Sequence, residues 1–322
     1  MNERILQILL DHQDQFISGE QLSSRLNCSR TAIWKHIRHL RKQGYEFEAV
    51  PRLGYRLVKV PDKLDEEQLA KLLKTEVMGR RVHMYETVES TQTAAREWFS
   101  KGEGEGTLIL AEQQTAGRGR LGRKWHSPAG KGLWMSLILT PRISLHFAPQ
   151  LTLLTAVALC RTIHRMSGVP IGIKWPNDLL INGKKVSGIL LESHAEDDRL
   201  QVVVAGVGIS VNMGETDFPE ELKDIATSLL LETGKTANRE ELLAEFLYEF
   251  EQLYQLYHER GFAPIRALWE ALSISIGRLI RIQTHNGWVS GKAEAVDEMG
   301  ALVIVQEDGS KTKLYAGDIS VI

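Results

Sequence analysis

The chain of 322 residues contains only two cysteines, Cys28 and Cys160, which lie far apart in the sequence. They form no C-x-x-C pair, so neither a disulfide framework nor a structural zinc site is indicated. The beginning of the chain also lacks the cationic and then apolar pattern of a secretory signal. The apolar stretch at residues 151–160 is shorter than the roughly 20 residues that a transmembrane helix needs. These absences predict a globular protein of the cytoplasm.

The sequence also lacks a large net charge. Lys and Arg total 39, Asp and Glu total 41, and the formal net charge is −2. Acidic residues are, however, completely absent from residues 21–45. A local basic segment without acids is typical of a face that contacts nucleic acid phosphates. The basic residues of this segment include Arg25, Arg30, Lys35, Arg38, Arg41 and Lys42.

The same segment is predicted to form a helix-turn-helix. Ser18 and Gln21 match a capping box at the start of the first helix, and Ser29 is the predicted cap of a second helix over residues 30–43. Residues 45–50 and 55–58 then predict a β-hairpin wing. Such patterns also occur in structural three-helix modules with solvated charged faces, but the absence of acids favours DNA binding. The candidate DNA contacts lie off the apolar stripe of the second helix: Ser29, Arg30, Thr31, Trp34, Lys35 and Arg38.

A loop rich in glycine and basic residues separates two apolar runs within residues 106–136. Glycine allows a backbone to approach a ligand closely, and arginine presents planar donors suited to phosphate and carboxylate. The loop is therefore a candidate anion-binding site, although a loop of this composition can also be merely solvated. Gly117, Gly119 and Gly122 match G-x-G-x-x-G, but no helix pattern follows and no acid lies about 20 residues later. A dinucleotide-binding fold is therefore rejected.

Three motifs in this order resemble the biotin–protein ligase family: AGRGRLGRKWHSP at 116–128, KWPND at 174–178 and KKVSGILLE at 184–192. With the helix-turn-helix pattern, the chain resembles the bacterial members that are both biotin ligase and biotin-operon repressor, over nearly its whole length. The resemblance implies an α+β multidomain fold. Its expected parts are a winged helix-turn-helix domain at 1–62, a mixed-sheet catalytic domain at 63–273 and an SH3-like small β-barrel at 274–322.

The resemblance also implies the activity. It predicts an ATP-dependent ligase that forms biotinyl-5′-adenylate from biotin and ATP, with Mg²⁺ on the phosphates, and then transfers biotin to a lysine of biotin carboxyl carrier domains, as in acetyl-CoA carboxylase. It further predicts a homodimeric repressor that binds the operator DNA of the biotin genes, with the adenylate as corepressor. No membrane partner is expected.

Specific residues are carried over from the family's motifs. Arg118 and Lys185 are the implied catalytic residues, and Ser210 stands where the family often has Asn. On local sequence alone, Ser90 would be an ordinary helix N-cap and Trp125 could be a packing residue. The implied biotin-binding residues are Ser90, Thr91, Gln92, Gln114, Arg118, Gly119, Arg120, Lys185, Gly206 and Gly208. The implied ATP or adenylate contacts are Arg120, Arg123, Trp125, Asn177 and Asn212.

Two other readings remain open from the sequence. Lipoate ligases and octanoyl transferases share the fold class and act on similar acids, but the GRGRLGRKW run and the helix-turn-helix are closer to biotin ligases. A ligand-sensing repressor without catalysis is the second alternative. Arg118 and Lys185 argue against it, because a sensor does not need charges for nucleotide chemistry.

Overall fold

The structure is a computed structural model that describes residues 1–12, 15–42, 45–59, 63–197, 199–284 and 287–321. These residues form two compact units, Met1–Lys63 and Leu64–Ile322. Within the described ranges, no helix is both long enough and apolar enough to cross a membrane. Three predicted features lie outside these ranges: the helix end at Gly44, the linker proline Pro61 and the turn at His285 and Asn286.

The first unit is a helix-turn-helix followed by a hairpin. The predicted capping box is confirmed, because Ser18 Oγ accepts from Gln21 N at 3.1 Å and Gln21 Oε1 accepts from Ser18 N at 2.9 Å. Ser29 Oγ likewise accepts from Ala32 N at 3.2 Å, and Asn27 takes the left-handed conformation in the turn between the helices. The elements are α1 (Asn2–Leu10), α2 (Gly19–Leu26), α3 (Arg30–Lys42) and the antiparallel strands β1 (Glu46–Val50) and β2 (Gly54–Lys59).

The core of this unit follows the predicted apolar stripe of α3. Ile33, Ile37 and Leu40 of that helix are buried and pack with Ile5, Leu9 and Leu22 of the preceding helices. The basic and polar residues between these positions consequently face away from the core, as an amphipathic helix requires.

The second unit is built on a seven-stranded mixed sheet, in which β3 and β4 pair in parallel and the other neighbours pair antiparallel. The strand order is β3-β4-β5-β9-β8-β7-β6. The Asn-Gly pair at 182 and 183 predicts a type I′ turn in the hairpin between β7 and β8. The structure confirms it, because Asn182 and Gly183 both have positive φ, 50° and 80°. The strands are β3 (Val82–Val88), β4 (Leu108–Gln114), β5 (Gly132–Leu139), β6 (Ile171–Lys174), β7 (Asp178–Ile181), β8 (Lys184–Glu196) and β9 (Arg199–Ser210).

Helices cover this sheet. The sequence predicts helices over 66–75, 91–100, 150–166, 239–259 and 262–272, and the structure has each of them with ends that differ by at most three residues. The first is shorter than the predicted 66–75, because Leu73 is already extended with ψ 125°. Asn238 caps the long helix as predicted, accepting from Glu241 N at 3.0 Å. The helices are α4 (Glu66–Leu72), α5 (Thr91–Ser100), α6 (Ala148–Ser167), α7 (Leu229–Thr233), α8 (Arg239–Arg260) and α9 (Ala263–Leu272).

The C-terminal strands form a second, entirely antiparallel sheet of order β13-β12-β11-β10-β14. Its buried side chains belong to the same apolar core as the mixed sheet. Two hydrogen bonds also link the β11–β12 turn to the part of the unit around the mixed sheet. Trp175 Nε1 donates to Gly300 O at 3.3 Å, and Gln150 Nε2 of the helix at 148–167 donates to Glu298 O at 2.6 Å. The strands are β10 (Leu279–Thr284), β11 (Gly287–Val296), β12 (Leu302–Val305), β13 (Lys311–Leu314) and β14 (Ile319–Val321), the last of which was not predicted.

A buried ion pair stands where the second unit begins. Arg239 is fully buried and donates to both carboxylate oxygens of Glu112, at 3.0 and 3.3 Å, and to Gly132 O at 3.1 Å. Leu64 N donates to the same carboxylate at 2.5 Å. One charged cluster thereby joins the start of the unit to β4, β5 and α8.

Candidate functional site

A cavity of about 460 Å³ opens at one side of the mixed sheet. Its size is that of a small-molecule site. Its walls come from the glycine-rich loop after β4, from β7, β8 and β9, from the loop between β9 and α7, and from the turn that precedes β14. The structure therefore brings together segments that are far apart in the sequence.

Most of the predicted site residues line this cavity. Its wall includes Ser90, Thr91, Gln92, Gln114, Arg118, Gly119, Arg120, Arg123, Trp125, Asn177, Lys185, Gly206 and Gly208. Asn212 is not part of this wall. Its amide instead donates to Ala237 O and accepts from Ala237 N, both at 2.9 Å. Ser210, two residues earlier on β9, does line the cavity.

The glycine-rich loop folds back on itself at the cavity mouth. Gly119 N donates to Arg123 O at 2.7 Å, and Trp125 N donates to Gly117 O at 2.8 Å. At its tip Leu121 has a φ of 56° and a side chain that is 76% exposed. Leu121 is therefore an exposed apolar residue in the left-handed region of backbone conformation, where a side chain other than glycine is uncommon.

Two cations of the cavity wall are held in defined positions. Arg120 Nη1 donates to Asn177 Oδ1 at 2.7 Å, and burial lowers the pKa of this guanidinium from its ordinary value. Lys185 Nζ lies 2.6 Å from Asp178 Oδ1 and 5.2 Å from the centre of the Trp125 ring. An anion entering the cavity therefore meets positive groups that are already oriented, which reduces the reorganisation that binding requires.

The strand glycines make room for side chains in this ligand-free structure. A Cβ on Gly208 would overlap the indole of Trp125, and one on Gly206 would lie 2.6 Å from Gln92 Nε2. Gly206 and Gly208 are thus closely approached by the side chains of Gln92 and Trp125. Trp125 Nε1 is buried and has no hydrogen-bond partner among the described residues.

The start of α5 corrects one prediction. Ser90 occupies the N-cap position, but its hydroxyl caps nothing and has no partner within the described part of the chain, although it is buried. Gln114 Oε1 takes the capping role, accepting from Thr91 N at 2.9 Å and from Thr91 Oγ1 at 3.1 Å. The Ser90 hydroxyl faces the cavity unsatisfied, and buried polar groups are normally paired, so it is available to a ligand.

Sequence reasoning missed three carboxylates at this site because their partners are distant in the chain. Glu192 accepts from Arg118, Asp178 pairs with Lys185, and Asp318 pairs with Arg123 at 2.7 Å. Burial alone would raise the pKa of Asp318, but the bond from Arg123 and the charge of Lys174 lower it. Asp318 belongs to the turn before β14, so the C-terminal sheet contributes to the cavity wall.

The acidic loop between β9 and α7 closes another side of the cavity. His126 Nε2 lies 2.8 Å from Asp217 O, and Lys131 Nζ lies 2.9 Å from Asp217 Oδ2. The backbone of Lys185 also exchanges hydrogen bonds with Ile225 and Thr227. This loop is therefore tied both to the glycine-rich loop and to the strand that carries Lys185.

In the first unit, the predicted DNA-contacting face of α3 is accessible. Trp34 is 50% exposed, and the guanidinium of Arg38 lies 5.5 Å from the centre of its ring. Arg30 forms an exposed ion pair with Glu20 at 2.5 Å. An exposed ion pair is weak, so Arg30 can exchange this partner for a phosphate.

Taken together, the mixed sheet and its basic cavity define a protein that binds a small anionic ligand. Residues 84–210 match the model of the biotin/lipoate A/B protein ligase family, residues 2–56 match an HTH domain, and residues 275–321 match the biotin protein ligase C terminal domain.

The chain is 48% identical over 321 residues to the bifunctional ligase/repressor BirA of Bacillus subtilis, covering 100% of this chain and 98% of that one. It is 30% identical to BirA of Escherichia coli over 95% of this chain and 93% of that protein. The solved biotin protein ligase of Aquifex aeolicus in complex with biotin and ATP is also similar, with a TM-score of 0.65, 33% identity and coverage of 76% and 99%. The chain belongs to the biotin/lipoate A/B protein ligase family.

Proposed function

We propose that the protein is an ATP-dependent biotin–protein ligase and, through its helix-turn-helix, a DNA-binding repressor of biotin genes. One observation carries the enzymatic part: Arg118, Arg120 and Lys185 line a single cavity beside the unpaired hydroxyl of Ser90. The similarity to bifunctional ligase/repressors over the whole chain supports both parts.

The first chemical step joins two anions. A carboxylate oxygen of biotin attacks the α-phosphorus of ATP, the bond between the α-phosphorus and its bridging oxygen breaks, and pyrophosphate leaves. Arg118 and Lys185 act as the catalytic cations, since they offset the repulsion and the charge that develops on the phosphoryl oxygens. Arg120 is held by Asn177 at 2.7 Å and serves both the acid and the phosphate.

In the second step, the amine of an acceptor lysine attacks the carbonyl carbon of the adenylate. The bond between that carbon and the phosphate oxygen breaks, AMP leaves and the nitrogen loses a proton. A mixed anhydride hydrolyses readily, so water must be kept out of the site. The glycine-rich loop and the acidic loop, which are joined through His126 and Asp217, exclude water from the adenylate. The acceptors are biotin carboxyl carrier domains of carboxylases.

Biotin and the adenylate are assigned to different groups of residues. Biotin binds along Ser90, Thr91, Gln92 and Gln114, beside the glycines at 119, 206 and 208. The adenylate lies against Arg123, Trp125 and Asn177. Asn212 is the weakest assignment, since its amide is engaged with Ala237, and Ser210 is better situated to reach a nucleotide.

Magnesium would enter with the nucleotide. Among the described residues no cluster of three or more His, Cys, Asp or Glu side chains could hold a metal. The carboxylates Asp178 and Asp318 do line the cavity. Mg²⁺ characteristically uses one or two carboxylates plus substrate phosphates, so these two residues fit a metal carried by ATP. Its charge would neutralise the phosphates.

The test of catalysis is exchange of labelled pyrophosphate into ATP, with biotin, lipoate and octanoate supplied separately. We expect exchange with biotin only. Exchange with lipoate or octanoate instead would support the acyl-ligase alternative, and biotin binding without exchange would support a sensor. Lys185→Ala should abolish exchange, and Lys184→Ala, one residue away and bonded to Lys223 O, is the matched control.

DNA binding is assigned to the exposed face of α3: Ser29, Arg30, Thr31, Trp34, Lys35 and Arg38. Lys35→Ala should weaken binding to the operator upstream of the biotin genes and reduce the slope of log affinity against log salt by about 1, as loss of one phosphate contact does. Arg4→Ala, an exposed basic residue on α1, is the control. Unchanged operator binding by an Arg30→Ala, Lys35→Ala double variant would refute the assignment.

The adenylate is also proposed to act as corepressor by promoting a two-fold dimer. The exposed Leu121 at the tip of the glycine-rich loop supports this, since ligand binding would order residues 114–131 into a contact surface. Sedimentation should show a dimer of the wild type with biotin and ATP and a monomer of Leu121→Asp. A wild type that stays monomeric with both ligands would rule the dimer out.

We also propose roles for the hairpin of the first unit and for the C-terminal strands. The β1–β2 hairpin would serve as a wing, and the five antiparallel C-terminal strands would form an SH3-like barrel. The expected domains are 1–62, 63–273 and 274–322, and the expected location is the cytoplasm. Limited proteolysis that releases a folded N-terminal fragment ending near residue 62 would support the first boundary.

A further inference from the structure

Glu192 of β8 joins two elements that carry ligand-facing residues. Its Oε1 accepts from Arg118 Nη2 and its Oε2 accepts from Arg96 Nη2, both at 2.6 Å. Arg118 extends from the glycine-rich loop, whereas Arg96 lies on α5. Each carboxylate oxygen therefore accepts from a different guanidinium group, and the Glu192 side chain is only 26% exposed.

A second hydrogen bond holds α5, the helix that carries Arg96, against β8. Gln92, one turn before Arg96 on α5, donates to Leu190 O at 2.6 Å, and Leu190 precedes Glu192 by two residues on β8. Residues i and i+4 share a helix face, and residues i and i+2 share a strand face. The contacts of Gln92 with Leu190 O and of Arg96 with Glu192 thus hold α5 against β8 beside the Glu192 carboxylate.

At the loop end, the Arg118 side chain bonds to Glu192 alone among the described residues. The Arg118 side chain is 41% exposed and projects from a glycine-flanked segment. Left alone, such a side chain samples many rotamers, and ordering it during ligand binding costs free energy. The bond to Glu192 uses one terminal nitrogen of the guanidinium, and the group has other donors for a ligand.

We propose that Glu192 is a positioning residue that holds Arg118 ready for the substrate carboxylate, with Arg96 as its support on α5. This inference rests on the proposed ligase function. Glu192 is not among the residues that line the cavity and acts only through Arg118. The alternative, in which Glu192 competes with the substrate for Arg118, predicts the opposite sign, because removing the carboxylate would then tighten binding.

The test compares Glu192→Gln, Glu192→Asp and Arg96→Gln in the full-length chain, with biotin-dependent pyrophosphate exchange and calorimetric biotin binding as readouts. Glu192→Gln should raise the KM for biotin by about tenfold, the equivalent of one charge-assisted hydrogen bond, with a smaller change in kcat. Glu192→Asp retains the charge and should recover part of the loss. Arg96→Gln leaves the bond to Arg118 in place and should change KM by only about twofold to threefold.

A double-mutant cycle separates positioning from folding. In an Arg118→Ala background, Glu192→Gln should have no further effect on the biotin dissociation constant, and circular dichroism spectra check that each variant is folded. Additive losses of binding, a change below twofold in Glu192→Gln, or tighter biotin binding by that variant would each overturn the proposal. A wild type without biotin-dependent exchange would instead refute the ligase function itself.

Discussion

The buried pair of Arg239 and Glu112 offers the sharpest test of what stabilises the second unit. Both groups are almost completely removed from water, at 0% and 7% side-chain exposure. Replacing Arg239 with Met keeps most of the volume but leaves the Glu112 carboxylate without its cation. Removing one partner of a buried ion pair typically costs about 3 to 5 kcal/mol. Glu112→Gln should also be destabilising, because it removes the carboxylate that accepts from two nitrogen atoms of the buried guanidinium.

The double variant carries the decisive prediction. With Gln at 112 and Met at 239 neither member of this pair carries a charge, and Gln can still accept from Leu64 N. The loss of the donor to Gly132 O costs about 1 to 3 kcal/mol. The double variant should therefore be more stable than either single variant. Lys311→Met, which breaks the exposed pair with Glu294, is the control and should cost less than about 1 kcal/mol.

The measurement is denaturant unfolding followed by tryptophan fluorescence. Trp34 is the only tryptophan of the sequence within residues 1–63, so the signal reports mainly on the second unit. Losses in the single variants that add up in the double variant would refute the reasoning, because additivity means that the two charges do not interact.

Three further predictions rest on other contacts. Glu251→Gln should lower the free energy of unfolding by about 1.5 to 3 kcal/mol, because the carboxylate accepts three backbone N–H groups of residues 76–78 at 2.7 to 2.9 Å. Gly208→Ala should reduce kcat/KM for biotin-dependent exchange by about tenfold or more, because its methyl group would displace Trp125. The contribution of Asp318 to stability, measured as wild type minus Asp318→Asn, should be constant above the ordinary Asp pKa of about 3.9. It should disappear as the pH falls through the lower pKa that Arg123 helps to set.

For each of these three predictions, one result would contradict the reasoning. Glu251→Gln with wild-type stability would mean that water replaces the carboxylate at no cost. Full activity in Gly208→Ala would mean that Trp125 has no fixed place in the reaction. A difference between wild type and Asp318→Asn that grows on acidification would contradict the direction of the Asp318 pKa shift.

Features determined by neighbouring residues were predicted accurately from the sequence. The Ser18–Gln21 capping box and the Asn182–Gly183 turn depend on residues one to three positions apart, and the structure confirms both. The glycine-rich loop was recognised from composition alone. Local rules work here because backbone conformation and capping are decided within one turn of chain.

Features determined by distant residues were not predicted. Ser90 was expected to cap α5, but Gln114, 24 residues further along the chain, accepts the hydrogen bond instead. Glu192 and Asp318 escaped notice because a carboxylate within a strand or turn pattern gives no sign of the arginine that it will meet. Such pairings depend on sheet order, and a single sequence does not encode that order in any local pattern.

Because the turn before β14 contributes to the cavity wall, ligand binding affects how fast the protein is degraded. The cavity wall unites residues as distant in sequence as Ser90 and Asp318, so a partly folded chain has no such cavity. A ligand at 100 times its dissociation constant therefore stabilises the folded second unit by about 2.7 kcal/mol, and it does not stabilise a partly folded form that lacks the cavity. Proteases that act on transiently opened molecules would find roughly a hundredth as many of them. The amount of protein that survives would then follow the supply of its own ligand, without any change in synthesis.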